Sequence, residues 1–433
     1  MATIIKPSEP RLLADWKMLC ATIGERLAGT DAERQAADYI RDGFIAAGCA
    51  DSRIEEFDCR SRRRADCIVS FQDGKRWTRV ESQAITGAPS TPDGRAVEGD
   101  IVWLEMPEQA PRLKKNSLTG RIALLFGPLL DQLTHHRSLL AANPLAVIHV
   151  DHRLPFAWAK SDGAIPLWEE KYGLPPTATV SFADAWRWRQ TGVRRARISI
   201  NAKTVAARST NVIADLPGTT NDVILVGAHH DTQANSVGAD DNASGVVGLL
   251  ELARLLMPLR RRRTIRFVSF GAEEQLSVGS AAYVRAHRDE LESIALMVNL
   301  DSYASPLGHT VLVCAGGDDL AEFGRKQLER GGVLAALRRT VIPYADHFPF
   351  SAHGSPAVWL YRENFPGARW QHHSRHDNLE NISASVAAEL LAAVGSLIQT
   401  AASAPTLPFR RTALSDRNPD VERYARTLFG FDV

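Results

Sequence analysis

The chain has no pair of cysteines at redox or metal-binding spacing. Its five, Cys20, Cys49, Cys59, Cys67 and Cys314, are scattered and odd in number. That removes a disulfide framework and a thiolate zinc module, and it points to reduced thiols in a cytoplasmic protein. An excess of charge of one sign is also missing. The net charge is +1, so no global field recruits nucleic acid. No apolar stretch reads as long enough to cross a bilayer. The opening residues, Met1 to Pro7, lack the apolar core of a signal peptide, although a mature form whose leader had been removed would read the same. The expected setting is therefore cytoplasmic, with neither membrane nor nucleic acid as a partner. Internal repeats and low-complexity tracts are absent, which removes solenoids and fibrous folds. No Gly-x-Ser-x-Gly stands at a strand-to-helix turn, so a serine hydrolase fits poorly.

What is present suits a globular enzyme of more than one domain. The length is 433 residues, and a 45% share of hydrophobic residues against 23% charged is enough to bury large cores. Residues 1–57 read as two helices. Leu12, Leu13, Trp16 and Leu19 share a face of the first, and Ala36, Ala37, Ile40 and Phe44 of the second. Residues 58–205 change character. Short apolar runs at 101–104, 122–126 and 146–150 are punctuated by Gly and Pro, which predicts a β-rich insert. Residues 206–403 form the expected core, and 404–433 carry no clear period. That last stretch is expected to trail, or to form an arm on another subunit of a homo-oligomer. The run Arg260 to Arg263 reads as a solvated connector between a helix and a strand. His135-His136 reads as a surface pair.

Chemistry concentrates in the core. The segments are Gly227-Ala228-His229-His230-Asp231-Thr232, Gly238-Ala239-Asp240-Asp241-Asn242-Ala243-Ser244-Gly245, Glu273-Glu274, Asn299-Leu300-Asp301 and His373-Ser374-Arg375-His376-Asp377. Apolar runs at 223–226, 265–270 and 296–300 predict buried strands. A helical period through Val246, Val247, Leu250, Ala253 and Leu256 lies between the first two. Alternating strand and helix predicts an α/β fold with a mostly parallel sheet flanked by helices. Ligands of such sheets bind beyond the carboxyl ends of the strands, where His229, Glu273, Glu274 and Asp301 fall. Taken singly, each segment is a surface pair, a solvated face or a helix cap. In this order, they supply imidazoles and carboxylates for two divalent metals and leave one carboxylate as a base.

These motifs resemble the co-catalytic dizinc aminopeptidases, the group that also holds glutamate carboxypeptidases and glutaminyl cyclases. The resemblance implies a zinc-exopeptidase fold over 206–403. It implies His229, Asp241, Glu274, Asp301 and His373 as metal ligands, with Asp241 bridging both ions. Glu273 would be the general base acting on a two-metal-activated water, and Asp231 would orient a ligand imidazole. Two divalent ions are implied, zinc foremost, with manganese or cobalt tolerated. The pattern departs at Leu276-Ser277, where the family often has Gly-Leu; Gly279-Ser280 is kept. The insert, through Leu118–Leu124 and Asn143–Ile148, is similar to a protease-associated domain.

The resemblance also marks Asp346-His347-Phe348-Pro349-Phe350. There His347 reads equally as an oxyanion donor and as a packed structural histidine. The loop Tyr361–Trp370 offers Arg362, Glu363 and Arg369 to a substrate. The expected activity is metal-dependent exopeptidase action on a peptide or small amide, an aminopeptidase first. The alternatives are a glutaminyl cyclase or carboxypeptidase-type amide hydrolase, and a non-catalytic binding protein on the same scaffold.

Overall fold

The computed structural model describes residues 6–105, 113–127, 132–151, 156–365, 368–413 and 418–432. They divide into two compact units. One joins Met1–Cys59 to Ala207–Val433, and the other is Arg60–Ala206.

In the first unit the apolar runs become strands because nearly every residue in them is buried. Val223–His229 and Ile294–Leu300 have no exposed position, which suits a sheet covered on both faces. Val223–His229 lies between Thr264–Phe270 and Ile294–Leu300, parallel to both, and Ala357–Glu363 continues the parallel set. The edges run the other way. His309–Ala315 pairs antiparallel with Ala357–Glu363, and Val212–Leu216 antiparallel with Thr264–Phe270. Ala335–Arg338 then pairs parallel with His309–Ala315.

Helix Ala243–Leu256 begins where the Asn242 side chain accepts the Gly245 amide at 2.8 Å. Gly245 is required there: a Cβ would collide with the Leu300 carbonyl oxygen and the Asn242 side chain. The N-terminal helices Glu9–Lys17 and Asp31–Ala46 bury Leu12, Trp16, Ile40 and Phe44 in the same core. Helix Ala384–Ser403 is long and apolar enough to span a membrane, against the sequence expectation. Here it is a core helix, with Leu390, Leu391, Val394, Leu397 and Ile398 packed into the main cluster.

Two further expectations are corrected. The arginine run is a solvated connector only in part: Arg260 and Arg262 are exposed, but the other two are not. Arg261 donates to the carbonyls of Leu256, Met257 and Leu259 at the end of the preceding helix, where a cation meets unpaired acceptors. Arg263 is buried and donates to the Ala401 and Ala404 carbonyls. The final stretch does not trail. Helix Pro419–Tyr424 and the turn after it bury Val421, Leu428, Phe429 and Phe431 on their own chain. Phe429 stacks on Phe348 at 5.3 Å, and Phe431 meets the His353 ring edge-on at 4.5 Å. Aromatic contacts of this kind leave no periodic trace in a sequence.

The second unit is less purely β than the punctuation of its runs predicts. Val97–Glu105, Arg121–Phe126, Ala146–Val150 and Thr177–Val180 pair in parallel. Parallel neighbours need crossovers, and helices Leu133–Ala142 and Pro166–Tyr172 supply them. His135 and His136 sit on the first of these and are buried rather than superficial. His136 Nε2 lies 2.9 Å from the Gly173 carbonyl oxygen.

Candidate metal centre

Three adjacent parallel strands of the first unit lead into candidate site side chains. His229 is the last residue of its strand, Glu273 and Glu274 follow Thr264–Phe270 in a tight turn, and Asp301 directly follows Ile294–Leu300. His229, Asp241 and Asp301 offer ligand atoms within 4.8 Å of one another, and so do Asp241, His372 and His373. Asp241 belongs to both groups. Its Oδ1 is 3.2 Å from His229 Nε2, and its Oδ2 is 3.1 Å from His372 Nε2 and 3.6 Å from His373 Nε2. His373 Nε2 is also 3.0 Å from Glu274 Oε2. Glu273 Oε2 stands 3.7 Å from His229 Nε2.

Backbone hydrogen bonds hold this arrangement from behind. Asp231 accepts the amides of Glu273 at 2.9 Å and Glu274 at 3.2 Å, tying the glutamate turn to the His229 strand. Its Oδ1 also lies 3.4 Å from His229 Nδ1, which orients the ring. Asp377 accepts the amides of Asp240 at 2.7 Å and Asp241 at 3.0 Å. Glu33, from the second N-terminal helix, accepts the Ala272 amide and the Ser209 hydroxyl. Arg26 is buried and donates to the carbonyls of His230 and Val237, fixing the loop after the strand.

The electrostatics call for cations. Burial pushes the Glu273 carboxyl well above its ordinary range, and Asp346, Glu274 and Asp301 push it the same way. Burial, then Asp241, does the same to Glu274. Asp240 is pushed up to about 7, chiefly by burial. Asp241 is the exception. Burial alone would raise it, but Arg369, His229 and His372 hold it well below the usual carboxylate range. His229 goes the other way: burial disfavours its charge, yet Glu273, Asp231 and Asp241 raise it well above normal. Its Nε2 is buried without a hydrogen-bond partner among the described residues and faces Asp241. An imidazole nitrogen and several buried carboxylates converging on one place fit a divalent metal.

Residues 211–398 match the sequence pattern of peptidase family M28. Over that span the chain is similar to this family. Aminopeptidase YwaD of Bacillus subtilis is 33% identical over 171 residues, 37% of each chain. A probable lipoprotein aminopeptidase of Mycobacterium tuberculosis, LpqL, is 38% identical over 299 residues, 66% of this chain and 56% of its own. The chain thus spans little more than a third of YwaD and just over half of LpqL. Among solved structures, a peptidase M28 precursor from Shewanella amazonensis superposes with a TM-score of 0.80 at 21% identity, covering 93% of this chain and 96% of its own. The zinc aminopeptidase BSAP of Bacillus subtilis gives 0.72 at 21%, covering 95% and 98%. The M28 fold is therefore shared.

Not every residue singled out in the sequence joins the candidate metal centre. Glu363 is buried and paired with Arg338, with the Tyr361 hydroxyl at 3.1 Å and with His309 at 2.9 Å. Arg362 donates to the carbonyls of Ser305 and Gly308. Arg369 does join, 3.2 Å from Asp241 Oδ2. His347 is buried, stacks on Trp359 at 5.5 Å and is pushed down to about 3 by burial, so its ring is a packed neutral one. His372, the neighbour of His373, reaches Asp241 as closely as His229 does. Asp346 was passed over beside its histidine. It is fully buried and close enough to raise the Glu273 carboxyl. Glu33, Arg26 and Asp346 carry no metal-ligand spacing that could have flagged them.

Proposed function

We propose that this M28 chain is a metal-dependent aminopeptidase. The convergence of His229, Asp241, Glu274, Asp301 and His373 beside Glu273 carries the reading. His229, Asp241 and Asp301 would hold one ion, and Asp241, Glu274 and His373 the other. Imidazole with carboxylate suits zinc, and the structure of matching fold from Bacillus subtilis is a zinc aminopeptidase. Divalent ions there would polarise the scissile carbonyl and lower the pKa of a water toward about 7.

The chain's own residues do the rest. Glu273, its Oε1 held by the Ser277 hydroxyl at 3.1 Å, accepts a proton from the attacking water and passes it to the leaving amine. Asp231 fixes the glutamate turn, and Asp377 fixes the Asp240–Asp241 turn. The amino end is favoured over the carboxyl end by charge. Carboxylates dominate the centre, while Arg362, which could otherwise grip a carboxylate, is held by the Ser305 and Gly308 carbonyls. Named relatives support an aminopeptidase and give no support to a cyclase, a carboxypeptidase or an inert scaffold.

The five cysteines form no disulfide, in keeping with a reducing compartment, whereas LpqL is named a lipoprotein. Cell fractionation decides between cytoplasm and envelope. For the metal reading the test is elemental analysis. Two zinc equivalents per chain, with activity lost on chelation and regained with zinc, support it; trace metal and no recovery sink it.

A further inference from the structure

Arg369 stands four residues before His373, and its side chain is only 13% exposed. Its Nη2 is 3.2 Å from Asp241 Oδ2, and its Nη1 is 3.8 Å from Asp301 Oδ1. Both acids are candidate ligands, and the two oxygens of Asp241 face different ways. Oδ1 turns to His229 Nε2 at 3.2 Å. Oδ2 turns to the side of His372 and His373. The oxygen that would serve an ion beside Glu274 and His373 is thus the one the guanidinium already holds. An imidazole could yield its place by losing a proton; a guanidinium keeps its charge at any working pH. A divalent ion and a guanidinium on one carboxylate oxygen repel each other by several times thermal energy, even at a protein-like dielectric.

We propose that Arg369 is a built-in cation that competes with the ion beside Glu274 and His373 for Asp241 Oδ2. Loading of that position moves the guanidinium off this oxygen. When the position is unloaded, Arg369 satisfies the acid charge that the ion would otherwise neutralise. The ion position beside His229 keeps Oδ1 and feels the competition less. The inference rests on the two-ion reading given above.

The test is a calorimetric zinc titration of the metal-stripped full chain, as wild type, R369M and R369K. In R369M the second zinc is expected to bind at least about tenfold more tightly than in wild type, with the first shifted about threefold or less. R369K keeps the charge and is expected to stay close to wild type. A second zinc that binds R369M no more tightly than wild type overturns the inference. A second measurement needs no variant: structures of the stripped and zinc-loaded wild type. The Arg369–Asp241 Oδ2 contact is expected to open beyond hydrogen-bond range on loading. A contact kept at 3.2 Å with both ions bound overturns the inference as well. A wild-type chain that takes up no zinc sinks the two-ion reading itself. Two zinc ions bound alike by wild type and R369M sink this inference alone.

Discussion

At the scale of single residues, the adjacent glutamates separate ligand from base. Glu274 Oε2 faces His373, and Glu273 Oε2 faces His229. Glu273→Gln is expected to keep both metal equivalents and to lose about 10²–10⁴-fold in turnover, because an amide cannot take the proton. Glu274→Gln is expected to lose one equivalent. Metal content and kcat on the same preparations check both, and normal turnover in Glu273→Gln removes the base assignment. Asp377→Ala is expected to cost metal affinity although Asp377 is not a candidate ligand, since it leaves the Asp240 and Asp241 amides buried without an acceptor.

The candidate ligands were legible in the sequence because each lies in a short motif, and His229, Glu274 and Asp301 lie at the end of an apolar run. Their supports were not. Glu33 reaches Ala272, and Arg26 reaches His230, across more than two hundred residues of chain. Local spacing carries no trace of such a bond. Arg362 and Glu363 misled for the opposite reason. A charged loop beside a motif reads as pocket, while its neighbours Arg338, His309 and the Ser305 carbonyl are visible only in three dimensions.

At the scale of elements, periodicity located the central strands and the helix between them, since burial on both faces writes a continuous apolar run. It failed where packing was aromatic or polar. The tail holds its place through Phe429 on Phe348, two residues after Asp346. Phe429→Ala is expected to cost about 3–5 kcal/mol, as large core deletions do. Denaturant unfolding reads this directly, and an unchanged midpoint would mean that the tail is not part of the folded core. Helix Asp31–Ala46 meets helix Ala243–Leu256 at Gly43, where an added Cβ would fall 2.7 Å from Leu250 Cδ2. Gly43→Ala sets better helix propensity against this overlap. Because Leu250 lies in the main core, the clash is expected to win and destabilise by about 1–3 kcal/mol.

At the scale of the whole molecule, the unit that joins Met1–Cys59 to Ala207–Val433 carries all the candidate ligands, and the unit Arg60–Ala206 carries none of them. His135→Ala with His136→Ala is expected to leave the zinc content unchanged, even though both side chains are buried and the double variant loses stability. Loss of a zinc equivalent in a variant that still folds would place a ligand in that unit. The central claim, an aminopeptidase that works through bound metal, meets its most direct test in one matched pair of peptides. Both share a sequence; one has a free amine and an amidated carboxyl end, the other an acetylated amine and a free carboxyl end. Each is incubated with the full chain before and after chelation. The account expects loss of the first residue from the free-amine peptide alone, stopped by the chelator and restored by zinc. Cleavage of the acetylated peptide, or cleavage indifferent to the chelator, would contradict it.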